Sequence, residues 1–540
     1  MSDVLIRFTF RTLIFFCLTA TSAPVFPETL WIFFTKGQHR SVDDPVFSGF
    51  IVKVEQTGAR LRNTSRYFNA VAVEYDGDIG ELEKLACVER IEPVKTIGSV
   101  YRAPSPQYIQ KSSLFSQNSE HSLKYGNSYA QLQTLNIPAL HDLGYIGRNV
   151  RIGVLDTGFH IEGTGCLSNT NITHTRNFKT GGSDVTGDYH GSQVLGCMAG
   201  ALDGEYYGPA FGATYFLAAT DDPNTESRIE EDRWVAAVEW CDSLGADIIS
   251  SSLVYNEFDT VEESYTKDEM DGKTSLVAKA AEIAFSRGIL MVNSAGNEGA
   301  NSWRIITTPG DAEHVLAVGA VEFLNREIPI LSSFSSRGPT ADGRIKPDVV
   351  APGSFVIVPQ SGTPHNYTYV NGTSFAAPLI SGLCALLLEA HPEWSPTDVV
   401  EAIKQTAIDL GTSGPDNNYG WGLPDALKAL NYQTVLVEET DYPRRNEDSE
   451  NRPLVFELSP PFPNPFNSST NFIFTVNLES DIKIGIYDIL GRKIATVWDE
   501  YTLPGTYRTV WNAGDYASGI YFLKTSAGRY HVNDKLTYTK

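Results

Sequence analysis

The sequence predicts an α/β protein: a parallel sheet with helices on both faces, preceded by a small α+β unit and followed by a β-sandwich. Three observations carry that prediction. Between residues 125 and 431, short apolar runs at 150–155, 246–250, 290–294 and 315–318 alternate with helical segments, as strands buried on both faces do. Residues 30–102 mix strand alternation (Phe68, Val71, Val73, Tyr75) with helical spacing around 79–85. From residue 456 onward every apolar run is strand-like and is broken by Gly and Pro turns.

At 540 residues the chain exceeds one ordinary core, so several segments are expected. Arg7 and Arg11 precede a short apolar stretch and then small residues up to Ala23, the order of a secretory signal peptide over 1–23. That stretch is too short to span a bilayer, and no transmembrane anchor is expected. The α+β unit follows over 30–102. A Ser- and Gln-rich connector over 103–124 has the composition of an exposed, cuttable segment. The core occupies 125–431, a charged linker with Pro443 spans 432–454, and the sandwich covers 455–540.

A net charge of −23 repels phosphate backbones and anionic lipid, which argues against a nucleic-acid partner. Cys17, Cys87, Cys166, Cys197, Cys241 and Cys384 show no C-x-x-C spacing, so neither a thiol metal site nor a disulfide framework is inferred. Seven carboxylates lie between Asn256 and Lys273 without the spacing of a calcium loop. They read as a solvated loop, with a cover over the cleft or a calcium site as the alternatives, and the sequence commits to no metal and no cofactor.

Four short segments carry chemistry. Val154-Leu155-Asp156-Thr157-Gly158 puts a carboxylate at the end of a buried strand, where open α/β sheets present functional groups. His190-Gly191 opens an apolar, small-residue helix. Asn371-Gly372-Thr373-Ser374-Phe375-Ala376-Ala377-Pro378 places Ser374 at the start of a core helix, with Pro378 read into the first turn. Free N–H groups and the helix dipole favour negative charge there. Ala295-Gly296-Asn297 ends another strand with a side-chain amide able to donate to an oxyanion. Taken singly, each also reads as a cap, a turn or a packing residue. Their order, Asp, His, Asn, Ser, is far more specific.

With the further stretches at 332–353 and 419–426, residues 135–430 resemble the subtilisin-like serine peptidases. The resemblance implies that Asp156 orients His190, that His190 takes the proton of Ser374, and that Ser374 attacks a peptide carbonyl to give an acyl-enzyme. It also implies an oxyanion hole at Asn297 and substrate contacts at Ser252, Leu253 and Gly296. Two departures stand out. The family usually has Thr-His after His-Gly, where this chain has Ser192-Gln193. It commonly has Ser-Leu-Gly-Gly, where Ser252-Leu253 is followed by Val254-Tyr255, side chains expected to narrow the pocket for the residue N-terminal to the cut.

The 30–102 unit resembles the inhibitory propeptide of these peptidases, which implies an intramolecular inhibitor released by cleavage. Pro461-Phe462-Pro463-Asn464-Pro465-Phe466-Asn467 and Tyr487-Asp488-Ile489-Leu490-Gly491-Arg492 resemble a type IX secretion sorting domain, an immunoglobulin-like sandwich. That implies export by type IX machinery and a secreted or surface location, while the peptidase resemblance implies polypeptide substrates. A lipase-type Ser hydrolase is disfavoured, because its acid and His follow the Ser well downstream. A binding protein on a decayed scaffold is disfavoured because all four positions are filled.

Overall fold

The computed structural model describes residues 28–35, 43–94, 121–259, 264–324, 328–432 and most of 456–539. The expected signal peptide, most of the connector and nearly all of the linker lie outside the described residues. The chain divides into two compact units, the larger ending at Leu430 and the smaller running from Asn431.

In the larger unit the first element is an antiparallel sheet in the order β2-β3-β1-β4, formed by β1 (Glu28–Phe34), β2 (Arg60–Ser65), β3 (Ala70–Tyr75) and β4 (Val88–Val94). Alternation along β1 sorts its side chains between two faces. Leu30, Ile32 and Phe34 pack on α1 (Ser48–Glu55) and α2 (Ile79–Glu83). Trp31 and Phe33 turn to the other face with Phe68 and Leu276, the first residue of a core helix. The apolar content of β1 is thus used twice, once within the unit and once against the core.

The core sheet contains β5 (Arg151–Asp156), β6 (Asn171–Asn177), β7 (Thr214–Ala219), β8 (Ile248–Ser251), β9 (Leu290–Ser294), β10 (Leu316–Glu322) and β11 (Val349–Ser354). Its order is β10-β9-β8-β5-β7-β6, with β11 on β10, all parallel; the two-residue strand Ile330–Leu331 adds an antiparallel edge. The helices between these strands are α3 (His190–Ala199), α4 (Arg228–Ser243) and α5 (Leu276–Ser286). After the sheet comes α6 (Thr373–Ala390), buried from Thr373 to Leu387. It is long and apolar enough to cross a bilayer, but it runs through the interior of this unit. Since parallel strands end on one edge, Asp156, Ser252 and Asn297 emerge together there.

Three expectations need refinement. Helix α6 begins at Thr373, so Pro378 lies in its second turn, not its first. The stretch 256–273 is more than a solvated loop: Phe258, Tyr265 and Met270 are buried, with Arg228 stacked 3.7 Å from the Tyr265 ring centroid. Its acidic residues and its aromatic residues serve different faces, which composition alone does not separate. His121 and Ser122, read as part of the connector, bind Asp142 at 2.6 Å and 2.7 Å. Cys87, Cys166, Cys197, Cys241 and Cys384 are all buried and unpaired.

The smaller unit is antiparallel throughout. Phe456–Leu458, Ser469–Val476 and Gly505–Asn512 form one sheet; Ser480–Tyr487, Lys493–Thr502, Gly519–Ala527 and Tyr530–Tyr538 form the other. Phe472, Phe474, Ile484, Leu523 and Leu536, drawn from both sheets, share one core, as in a β-sandwich.

Candidate active site

Asp156 is the last residue of β5 and is fully buried. Its Oδ1 accepts from Thr157 N–H at 2.8 Å, from the Thr157 hydroxyl at 3.1 Å and from His190 Nδ1 at 2.8 Å. These bonds offset the desolvation of a buried carboxylate and fix the direction from which it meets the imidazole. The loop after Asp156 is tied down by Lys179, whose ammonium donates to the carbonyls of Thr157 and Asp221.

His190 opens α3, and its backbone N–H donates to Asp188 Oδ1 at 2.8 Å, satisfying one of the free donors of the first turn. The glycine after it is a packing requirement. A Cβ on Gly191 would sit 2.3 Å from the Gly158 carbonyl and 3.0 Å from Asp156 Cβ, so the small residue lets the helix press onto the Asp-Thr-Gly turn. Burial lowers the affinity of the imidazole for a proton, but the Asp156 charge and hydrogen bond, with Asp188 behind them, outweigh it and raise the pKa above the ordinary 6.5.

Ser374 is the second residue of α6 and is 8% exposed. Its hydroxyl donates to the Ser252 carbonyl at 3.3 Å, a long bond, and the His190 ring lies 5.5 Å from the neighbouring Phe375 ring, centroid to centroid. Ser252 in turn donates from its own hydroxyl to the Ser374 carbonyl at 2.8 Å. That bond has a cause in the sequence. Pro378 has no N–H, so the carbonyl four residues earlier, that of Ser374, loses its helical partner, and Ser252 supplies the replacement. Sequence reading placed Ser252 with the substrate; the four-residue spacing of Ser374 and Pro378 was the unread signal for this second task.

Asn297 Oδ1 accepts from Thr373 N–H at 2.9 Å and from the Thr373 hydroxyl at 3.1 Å. The carbonyl end of the amide is therefore engaged, leaving the NH2 end as the free donor beside the start of α6. Gly296 N–H donates to Thr373 Oγ1 at 3.2 Å, and with φ at +103° the position favours glycine. Leu253 is held by Asn293, whose Nδ2 donates to the Leu253 carbonyl at 3.0 Å.

Both departures are now placed. Ser192 is buried and its hydroxyl accepts from His160 N–H at 2.5 Å, joining α3 to the loop after Asp156. Tyr255 is buried, and its hydroxyl donates to Asp221 Oδ2 at 3.1 Å. Burial pushes the Asp221 carboxyl up to about 6, against the hydrogen bonds from Thr220 and Tyr255. The Tyr255 side chain thus packs toward the end of β7, where Asp221 lies. Among the described residues, no group of three His, Cys, Asp or Glu side chains is arranged to hold a metal ion.

The Subtilase family matches residues 147–422, and the Secretion system C-terminal sorting domain matches residues 461–538. Subtilisin E from Bacillus subtilis (strain 168) is 28% identical over 377 residues, covering 68% of this chain and 83% of that protein. Subtilisin DY from Bacillus licheniformis is 32% identical over 282 residues, covering 52% and 90%. Serine protease AprX from Bacillus subtilis (strain 168) is 30% identical over 311 residues, covering 53% and 66%.

Proposed function

Since the chain belongs to the subtilase family and is a serine endopeptidase, we propose that Asp156, His190 and Ser374 are its catalytic triad and Asn297 its oxyanion donor. The observation that carries this assignment is the 2.8 Å bond between His190 Nδ1 and a fully buried Asp156 at the same end of the sheet where Ser252 holds the Ser374 carbonyl. With Nδ1–H committed to Asp156, Nε2 is the lone-pair nitrogen and faces outward as a base. Rotation about χ1 of Ser374 exchanges its long bond to Ser252 for one to Nε2.

As Oγ attacks the peptide carbonyl, its proton passes to Nε2 and the oxygen of the substrate becomes anionic. The Asn297 NH2 and the Ser374 N–H donate to that oxyanion. His190 then protonates the leaving amine, giving an acyl-enzyme, and later takes a proton from the water that hydrolyses it. The test is fluorophosphonate labelling and casein hydrolysis by the full chain, with mass spectrometry locating the label on Ser374. A folded protein that neither labels nor cleaves would rule the assignment out.

Because the base acts when neutral, the acid limb of kcat/KM is expected to have its midpoint above 6.5. Asp188→Asn removes a negative charge that favours imidazolium, so the limb should move to lower pH, as a pH–rate profile would show.

The sorting domain places the protein outside the cell or at its surface, by type IX secretion. We assign export across the inner membrane to a signal peptide over 1–23, and the remaining boundaries (30–102, 103–124, 125–431, 432–454 and 455–540) to a propeptide, a cleavable connector, the peptidase, a linker and the sorting domain. The propeptide assignment is supported by a polar seam on α4. Arg66 meets Asp242 at 2.6 Å, Ser65 donates to Glu239 at 2.5 Å, and Asn63 donates to Asp232 at 2.9 Å. Arg66→Ala should weaken retention of the cleaved segment by about tenfold or more, read as its lost co-elution with the processed enzyme.

Burial also pushes the Asp232 carboxyl up to about 6, against the Asn63 hydrogen bond, from the ordinary value of about 3.9 it would regain in water. A carboxyl with a higher pKa when docked takes up a proton on docking. The seam therefore holds this contribution in full below about 3.9 and has lost it once the pH has risen through about 6. Co-elution at pH 5 and at pH 8 should differ in that direction.

A further inference from the structure

Strands β8 and β9 run side by side, with Ser251 paired to Asn293, and beyond that pair they part. One continues as Ser252-Leu253-Val254-Tyr255, the other as Ser294-Ala295-Gly296-Asn297. Tyr255 N–H donates to the Thr308 carbonyl at 2.9 Å, and Thr307 N–H to the Ala295 carbonyl at 3.3 Å, so Thr307 and Thr308 bridge the two arms. On the triad assignment, on which this inference rests, a peptide whose carbonyl sits between Ser374 and Asn297 directs the side chain of its acyl-side residue (P1) into that gap.

The Tyr255 hydroxyl is engaged by Asp221, and Gly296, packed against Thr307 Oγ1, brings no side chain of its own. Asn293, at the point where the two strands part, is only 2% exposed. In register with Ser251, whose hydroxyl accepts from Trp234 of α4 at 3.0 Å, Asn293 projects to the α4–α5 face. Thr308 and the α5 cap Ser275 lie on that side, their hydroxyls 2.6 Å apart.

The Asn293 Nδ2 donates to the Leu253 carbonyl at 3.0 Å and to the Ser294 carbonyl at 2.9 Å, so both amide protons are used. Its Oδ1 is buried with no partner among the described residues. A buried acceptor sealed beneath an apolar side chain stays unpaired at a free-energy cost, whereas a donor of the right length satisfies it.

We propose that Asn293 sets the P1 specificity, its Oδ1 accepting a hydrogen bond from a long side chain that ends in an uncharged N–H or O–H donor, with glutamine the best fit. The test uses the full chain, purified in active form, and peptide p-nitroanilides differing only at P1: Gln, the similarly sized Met, and Lys. Gln is expected to exceed Met in kcat/KM by at least about tenfold, because a site built around a hydrogen bond discriminates against an analogue lacking it. Asn293→Leu should erase that ratio. Asn293→Asp, which keeps an acceptor and adds charge, should raise Lys relative to Gln. Circular dichroism and fluorophosphonate labelling confirm that each variant is folded and competent. Labelling accompanied by Met at least equal to Gln, or by variants that scale all three substrates alike, overturns the inference and leaves Asn293 as a brace for Leu253. Absence of labelling in the unmodified enzyme overturns the triad assignment and this inference with it.

Discussion

Replacing Ser374 by alanine should lower kcat on a peptide p-nitroanilide by about a million-fold and abolish fluorophosphonate labelling, a magnitude taken from the equivalent change in subtilisin itself and not from this geometry. The substitution removes one oxygen whose only hydrogen bond among the described residues is the 3.3 Å contact with Ser252. Alanine suits the interior of α6, and the bond from the Ser252 hydroxyl to the backbone carbonyl of residue 374 does not involve the lost atom. The melting temperature should therefore stay within a few degrees, separating loss of chemistry from loss of fold. A well-folded Ser374→Ala protein that retains activity would move the nucleophile elsewhere.

Asn297→Ala is expected to lower kcat by about 100- to 1,000-fold with KM little changed, again a magnitude known from subtilisin's own oxyanion asparagine. A complication is visible in the structure: Asn297 Oδ1 also receives Thr373 N–H and the Thr373 hydroxyl at the start of α6. Asn297→Asp separates the two roles. It keeps the oxygen that Thr373 needs but replaces the donating NH2 by a second, negative acceptor facing the developing oxyanion. Should anchoring of Thr373 be the whole contribution, the Asp variant would behave like the unmodified enzyme. With oxyanion stabilisation dominant, it should be at least as impaired as the Ala variant. Single-turnover kinetics on one substrate decides between them.

The candidate site was legible in the sequence because its short motifs are over-determined. Gly191 must be small to clear Gly158 and Asp156, and Gly296 favours a backbone angle that side chains resist, so the residues around the chemistry are fixed as firmly as the chemistry. The alternation of short apolar runs with helices gave the parallel sheet, since strands covered on both faces have no polar side to show. Strand order was not legible: the runs at 150–155 and 246–250 become neighbours only through tertiary packing. Nor could the sequence tell where Tyr255 points. Its size was visible, but its direction depends on Asp221, 34 residues away along the chain and beyond another strand. Pro378 lies a turn deeper than the apolar run suggests, since that run follows the proline; the helix starts before it and tolerates it by borrowing a hydroxyl from β8's continuation.

The buried cysteines bear on the journey this protein makes. An exported chain meets thiol oxidants before it reaches its destination, and oxidants act on the thiolate. Burial pushes the Cys166 thiol up to about 12 and the thiols of Cys197, Cys241 and Cys384 higher still, so in the finished fold they are neutral and shielded from reagents. Their exposure is confined to the interval before the core closes. Cys241 and Cys384 lie on separate core helices, so a disulfide between them would trap the chain short of its native packing. Closure of the core around these four side chains therefore acts as redox protection, and they can pass through an oxidising compartment as thiols.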